Sequence, residues 1–189
     1  MKIAVVCSSN NNRSMEAHYL LSKKGFQVKS FGTGSVIKLP GLSVDQPNVY
    51  QFGTSYEQMY QDLLEKEPNY YTQNGILRML DRNRRMKEKP EKFQDSPDVF
   101  DLIITVEERI YDSVVEDFQS RAVSSSIPAH VINIEIKDNH EDATLGAFLI
   151  YELCQMLRES SDVENDIEDV IQEFEYKHTR TILHTPVFY

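Results

Sequence analysis

The chain has 189 residues and a formal net charge of −10, a balance that argues against binding a nucleic-acid backbone as the main task. Its 40% hydrophobic and 26% charged residues suit a folded domain with a real core, and no run of eighteen apolar residues marks a membrane span. Cys7 and Cys154 are the only cysteines, too few for a disulfide framework. The apolar segment Ile3 to Val6 is too short for a secretory signal, so a nuclear or cytosolic compartment is expected.

In chain order, KIAVVC (2–7) reads as a buried strand, because β-branched residues cluster in a short apolar run. SMEAHYLLSKK (14–24) follows as a helix, with Ser14 able to help cap its first turn, an apolar face of Ala17, Leu20 and Leu21, and Gly25 as its stop. FQVKSF (26–31) alternates as a second strand. Strand, helix and strand form a βαβ unit, so a parallel sheet covered by helices is expected.

Residues 38–98 break this alternation and read as an inserted helical element. LPG and a turn at Pro47 open it. One helical pattern carries Met59, Tyr60, Leu63 and Leu64, and a second carries Ile76, Leu77 and Leu80, with Tyr70 and Tyr71 between them. Seven Lys/Arg residues lie between Arg78 and Lys92; the simplest reading is a solvated helix face. Regular order resumes with the strand FDLIITV (100–106), the helix EERIYDSVVEDF (107–118) and the strand HVINIEI (130–136). The loop KDNHED leads to a long helix from Leu145 to Leu157, in whose apolar stretch Cys154 reads as core. An acidic helix follows, and the tail TRTILHTPVFY is expected to add an edge strand or lie across the surface. The whole reads as one α/β domain, 1–189, with the 38–98 element set into it.

The chemistry concentrates in CSSNNNRS, residues 7–14. Cys7 ends a strand just before a helix, where free backbone N–H groups and the helix dipole favour a thiolate. The small polar loop Ser8, Ser9, Asn10, Asn11 and Asn12 can curl so that its N–H groups, with that of Arg13, point inward and cradle a tetrahedral dianion. Asparagine tolerates the left-handed backbone such a curl needs. Arg13 would clamp two phosphoryl oxygens with its planar fork. The hydroxyl of Ser14 would hydrogen-bond the sulfur and ease its departure.

The sequence from Cys7 to Ser14 resembles the Cys-x5-Arg-Ser signature of the low-molecular-weight protein tyrosine phosphatase fold. The likeness extends to one family with that fold. CSSNNNRSMEAH, SFGTG, KLPG, PNVY, YTQNGIL, MLDRNRR, DNHEDATLGAF and the terminal FY resemble the Ssu seventy-two family of RNA polymerase II C-terminal-domain phosphatases. The resemblance implies a three-layer α/β sandwich with a central, mainly parallel sheet. It also implies a metal- and cofactor-free serine phosphatase working through a phosphocysteine on Cys7, with Arg13 holding the phosphoryl group. Asp138, just beyond the fourth strand, fits a general acid at the C-terminal edge of a parallel sheet and matches the family's aspartate, although the related tyrosine phosphatases have Asp-Pro where this chain has Asp138-Asn139.

The implied substrate is phosphoserine at the fifth and seventh places of the polymerase heptad, with the following Ser-Pro bond in the cis form. The inserted element would wall its groove through Met15, Lys38, Pro40, Tyr71, Leu77 and Leu80. The implied partner is a symplekin-type scaffold of pre-mRNA 3′-end processing, docked on a helical surface that includes part of residues 107–118. The implied location is the nucleus, with the cytoplasm also open. Two rivals use the same loop: a weakly active scaffold paralogue, and an arsenate reductase, for which Cys154 is the only further thiol. A Cys–His hydrolase would need His18, His130 or His140, and nothing in the sequence pairs any of them with Cys7.

Overall fold

The computed structural model describes residues 1–122 and 124–189. Its centre is a five-stranded sheet. β1 (Lys2–Cys7) pairs in parallel with β2 (Gln27–Gly32) on one side and with β5 (Leu102–Thr105) on the other. β6 (Pro128–Asn133) continues the parallel set beyond β5, and β7 (Leu183–Phe188) closes the edge antiparallel to β6. The tail therefore takes the edge-strand course. β1 and β5 are flanked on both sides and covered on both faces, which is why they read as unbroken apolar runs rather than alternating ones.

Helix α1 (Arg13–Lys23) joins β1 to β2 and packs against α6 (His140–Glu159), which packs against α7 (Val163–His178). Helix α5 (Glu108–Ser120) joins β5 to β6 and packs on β5, β6 and β7. From β1 the chain steps outward to β2 with α1 and, later, from β5 to β6 with α5. Right-handed crossovers running in opposite directions put the two helices on opposite faces, which makes three layers. They also open a crevice at the carboxyl ends of β1 and β5, where the strand order reverses.

The 38–98 element differs from the expectation at its start. In place of a turn, β3 (Ile37–Ser43) and β4 (Gln46–Tyr50) form an antiparallel two-stranded sheet. Ile37, Leu39 and Gly41 point inward while their neighbours face water, so the half-buried strand signal is present but masked by Pro40 and Pro47. Helices α2 (Tyr56–Lys66), α3 (Pro68–Gln73) and α4 (Ile76–Met86) follow, and α3 occupies the Tyr70-Tyr71 stretch. Ser55 caps α2 in a full capping box with Gln58. These elements bury a second core of their own: Ile37, Leu39, Tyr56, Met59, Leu63, Tyr71, Leu77 and Leu80, joined by Met15 from α1.

Candidate active site

The sheet's C-terminal edge gathers four elements around one loop. Cys7 ends β1, Glu107 follows β5, Ile136 and Asp138 follow β6, and Gly32 ends β2. Gly32 is required by close approach: a Cβ there would lie 2.5 Å from the Ser8 carbonyl oxygen. The loop from Ser8 to Asn12 crosses this edge and enters α1.

The carbonyls of this loop are turned outward. Cys7 O accepts from Thr33 N–H at 3.0 Å and Ser8 O from Gly34 N–H at 3.0 Å. Ser9 O accepts from Asn11 Nδ2 at 3.0 Å and Asn10 O from the Tyr56 hydroxyl at 2.6 Å. Asn11 O accepts from Asn83 Nδ2 at 2.8 Å and Arg82 Nη2 at 3.2 Å, and Asn12 O from Glu16 N–H at 2.9 Å. With the oxygens engaged on the outside, the amides face the inside. Asn10 N–H donates to Cys7 Sγ at 3.2 Å, and no acceptor among the described residues engages those of Ser8, Ser9, Asn11 and Asn12. This is the nest that an oxyanion requires. Asn10 makes the curl possible with a left-handed φ of 53°.

The Asn10 side chain is the keystone under the loop. Its Oδ1 accepts from Lys87 Nζ at 2.7 Å and from Glu91 N–H at 3.1 Å; its Nδ2 donates to Ser14 Oγ at 2.9 Å and Ser30 Oγ at 3.1 Å. An ammonium only donates, so the amide orientation is fixed. Ser14 Oγ, accepting from Asn10, is left with its own proton for Cys7 Sγ, 3.0 Å away. Ser14 is thus spent on the sulfur rather than on capping: the N-cap of α1 is Asn12, without a side-chain cap bond. Lys87 also reaches Ser30 O at 2.8 Å and Glu91 at 2.8 Å, and burial lowers its pKa. His18, at 2.8 Å from Ser30 Oγ, is pushed down to about 4, first by burial and then by the Lys87 charge, so it is neutral near pH 7.

Arg13 is 4% exposed. Its Nη1 donates to Ile136 O at 2.8 Å and to Glu107 at 3.1 Å. Its Nε has no hydrogen-bond partner among the described residues; the Asp138 Oδ1 oxygen is 3.6 Å away. A buried guanidinium held on one side, with an unpartnered N–H on the other, is poised for an anion. Asp138 itself is exposed and accepts from Asn12 Nδ2 at 2.9 Å. Its neighbour Asn139 caps α6 through Asp142 N–H, which fixes the loop. His140 Nε2 donates to Asn74 O at 3.0 Å and sits 3.1 Å from where a Cβ on Gly75, at φ 82°, would be. The Asp138 loop is thereby tied to the inserted element.

These groups line a pocket of about 300 Å³ with Cys7, Ser9, Asn11, Asn12, Arg13, Asp138 and His140 at its base and Lys38, Leu39, Pro40, Tyr70, Asn74, Ile76 and Met79 as its wall. Ser9 Oγ accepts from Lys38 N–H at 3.0 Å, which pins the β3 wall to the loop. Lys38 and Pro40 line this pocket. Met15, Tyr71, Leu77 and Leu80 are not among the residues that line it: all four are buried in the second core. Helical apolar spacing marks a packed face first, and the residues that line the pocket are the neighbours Tyr70, Ile76 and Met79. Sequence reasoning also missed Glu107, Lys87, Tyr56 and Asn83. Glu107 alone carried a usable signal, as an acid directly after a buried parallel strand.

The profile of the family described as "Ssu72-like protein" matches residues 1–189. The chain is 62% identical over 189 residues to the Gallus gallus protein named as the SSU72 phosphatase of the RNA polymerase II C-terminal domain, covering 100% of this chain and 97% of that protein. It is 53% identical, with the same coverage, to the Homo sapiens "SSU72 like protein 2" of that phosphatase. A solved structure of Drosophila melanogaster Ssu72 with symplekin, bound to a cis peptidomimetic of the C-terminal domain phosphorylated on the fifth-place serine, superposes with a TM-score of 0.98 at 53% identity, covering 100% of this chain and 98% of that one.

Proposed function

The chain belongs to the Ssu72-like protein family, and from that premise we propose that it is a cysteine-based phosphoserine phosphatase of the RNA polymerase II C-terminal domain, acting in the nucleus on Ser-Pro sites of the heptad repeat and working beside a symplekin-type scaffold. The observation that carries this reading is the ring at residues 7–13: a thiol at its centre and, among the described residues, four amides without acceptors and an unpartnered Arg13 Nε.

Cys7 attacks phosphorus in line, forming an S–P bond as the P–O bond to the serine breaks. Asp138 gives its proton to the departing serine oxygen, which would otherwise leave as a costly alkoxide. The loop amides and Arg13 take the charge on the equatorial oxygens. Asp138, now a carboxylate, accepts a proton from water as that water attacks phosphorus. The Ser14 hydroxyl, donating to Sγ, stabilises the thiolate that leaves. Glu107 and Ile136 O hold Arg13 in place and take no proton. The arsenate-reductase alternative loses support because Cys154 is fully buried inside α6. A scaffold without turnover is the reading to exclude.

Phosphate release from a panel of singly phosphorylated heptad peptides, wild type beside Cys7→Ser, tests chemistry and substrate together. The expected result is release from peptides phosphorylated at the fifth and seventh places and none from the variant. Release undiminished in Cys7→Ser sinks the mechanism, and no release from any peptide with the wild type leaves the scaffold.

A further inference from the structure

A second cleft, about 440 Å³, lies beside the catalytic pocket and shares Asn12, Met79 and His140 with it. Its two long walls follow from helical spacing. Arg78, Arg82 and Arg85 recur at i, i+4 and i+7 on α4, and Glu16 and Tyr19 face them from α1. Three guanidinium groups therefore face one carboxylate, in a protein whose net charge is −10. The carboxylate is already taken: Glu16 pairs with Arg82, whose Nη2 is bonded to the Asn11 carbonyl of the loop. Arg85 shares Asp81 with Arg84. Arg78 is exposed and makes no ion pair among the described residues. The basic stretch, which in sequence reads as a plain solvated helix face, is thus split. Arg84 turns outward to Glu57 and Asp81, while Arg78, Arg82 and Arg85 line a concave surface that adjoins the catalytic pocket along Asn12, Met79 and His140.

We propose that this cleft is a subsite for a second phosphoryl group on the same peptide, so that doubly phosphorylated chains are preferred over singly phosphorylated ones. The inference rests on the phosphatase reading above. Guanidinium forks match phosphoryl oxygens in pairs, and Arg78, which has no ion pair among the described residues, carries the uncompensated positive charge of the cleft. The shared rim of Asn12, Met79 and His140 lets one extended chain occupy both pockets. Arg82 is structural, since it holds the Asn11 carbonyl; Arg78 and Arg85 are the groups that would meet the ligand.

The test compares kcat/KM for peptides carrying one phosphoserine with that for peptides carrying a second phosphoserine at successive positions on either side. Wild type, Arg78→Gln and Arg78→Gln/Arg85→Gln are measured at low and physiological salt. One spacing is expected to be favoured roughly threefold to tenfold, mostly through KM, with the advantage shrinking as salt rises. Both variants should lose that advantage while hydrolysing the singly phosphorylated peptide as wild type does. No preferred spacing, or a preference that survives in the double variant, overturns the subsite. Turnover of the singly phosphorylated peptide reports the catalytic reading by itself, so the two failures are separable.

Discussion

Cys7 and Cys154 are both buried, at 3% and 0% exposure, yet among the described residues only Cys7 is met by donors. Around Cys7, an amide and a hydroxyl point at the sulfur, and the loop that supplies them is held from outside by Thr33, Gly34, Tyr56, Asn83 and Lys87. Cys154 sits between Leu153 and Leu157 in the main core, where burial pushes its thiol up to about 12. Burial alone makes a thiol inert; burial inside an array of inward-facing donors makes an anion site. The difference lies in polar organisation and in the pocket that Cys7 lines and Cys154 does not.

The largest expected effect breaks this contrast at its centre. Cys7→Ser should remove hydrolysis of p-nitrophenyl phosphate by at least about 10⁴-fold, since the alkoxide needed in its place is not formed at neutral pH. Cys154→Ser should keep turnover and instead cost about 1–3 kcal/mol in denaturant unfolding, because it buries a hydroxyl in an apolar helix interface. Turnover that falls with Cys154 and survives without Cys7 would reverse the assignment.

Asp138→Asn comes next. The loss in kcat/KM, which reports transfer of the phosphoryl group to sulfur, should be about 10²- to 10³-fold on phosphoserine peptides and much smaller on an activated aryl phosphate, whose leaving group needs no proton. Equal losses on both substrates would move the acid to another residue.

Lys87→Met sharpens the role of the support beneath the loop. It leaves Asn10 Oδ1 and Ser30 O without the ammonium that now donates to them, so the left-handed turn at Asn10 loses part of its anchorage. A drop of about tenfold to a hundredfold in kcat, with a smaller change in thermal midpoint, is expected. A midpoint shift with kcat untouched would reduce Lys87 to a packing residue.

The smallest effect is a stability slope. His18 titrates near 4 in the folded chain against 6.5 in an ordinary environment. The unfolded chain therefore takes up its proton first. The contribution is whole above pH 6.5 and is lost as pH falls from 6.5 towards 4, amounting to about 1–2 kcal/mol after allowing for partial exposure. His18→Asn should flatten that part of the stability profile; an unchanged slope would mean that another group sets it.

Much of this is legible in the residues. KIAVVC announces a central strand because β-branched apolar residues without alternation fit a strand covered on both faces. CSSNNNRS announces an anion loop because small polar residues between a strand and a helix have few other uses. What stays hidden depends on contacts between distant residues. Asn10 reads as one of three similar asparagines until Lys87 and Glu91, some eighty positions on, fix its amide. Met15, Leu77 and Leu80 resemble groove residues because an apolar helical stripe gives the same pattern whether it faces a ligand or a core. Tyr71 is packed while its neighbour Tyr70 is half open to water, a distinction set by the direction of α3 and not by residue type. The hairpin at 37–50 escapes a sequence reading because two prolines weigh against strands, although both lie in an isolated pair with open edges.

The central claim is that the phosphoryl group passes through the sulfur of Cys7. It is met most directly by rapid acid quench of the Asp138→Asn protein with p-nitrophenyl phosphate, whose leaving group needs no proton while hydrolysis of the adduct lacks its base, followed by peptide mass spectrometry of the 1–23 region. The account predicts a phosphoryl group on Cys7 that accumulates early and decays as phosphate is released. Phosphate release with no adduct on Cys7 at any time would contradict it.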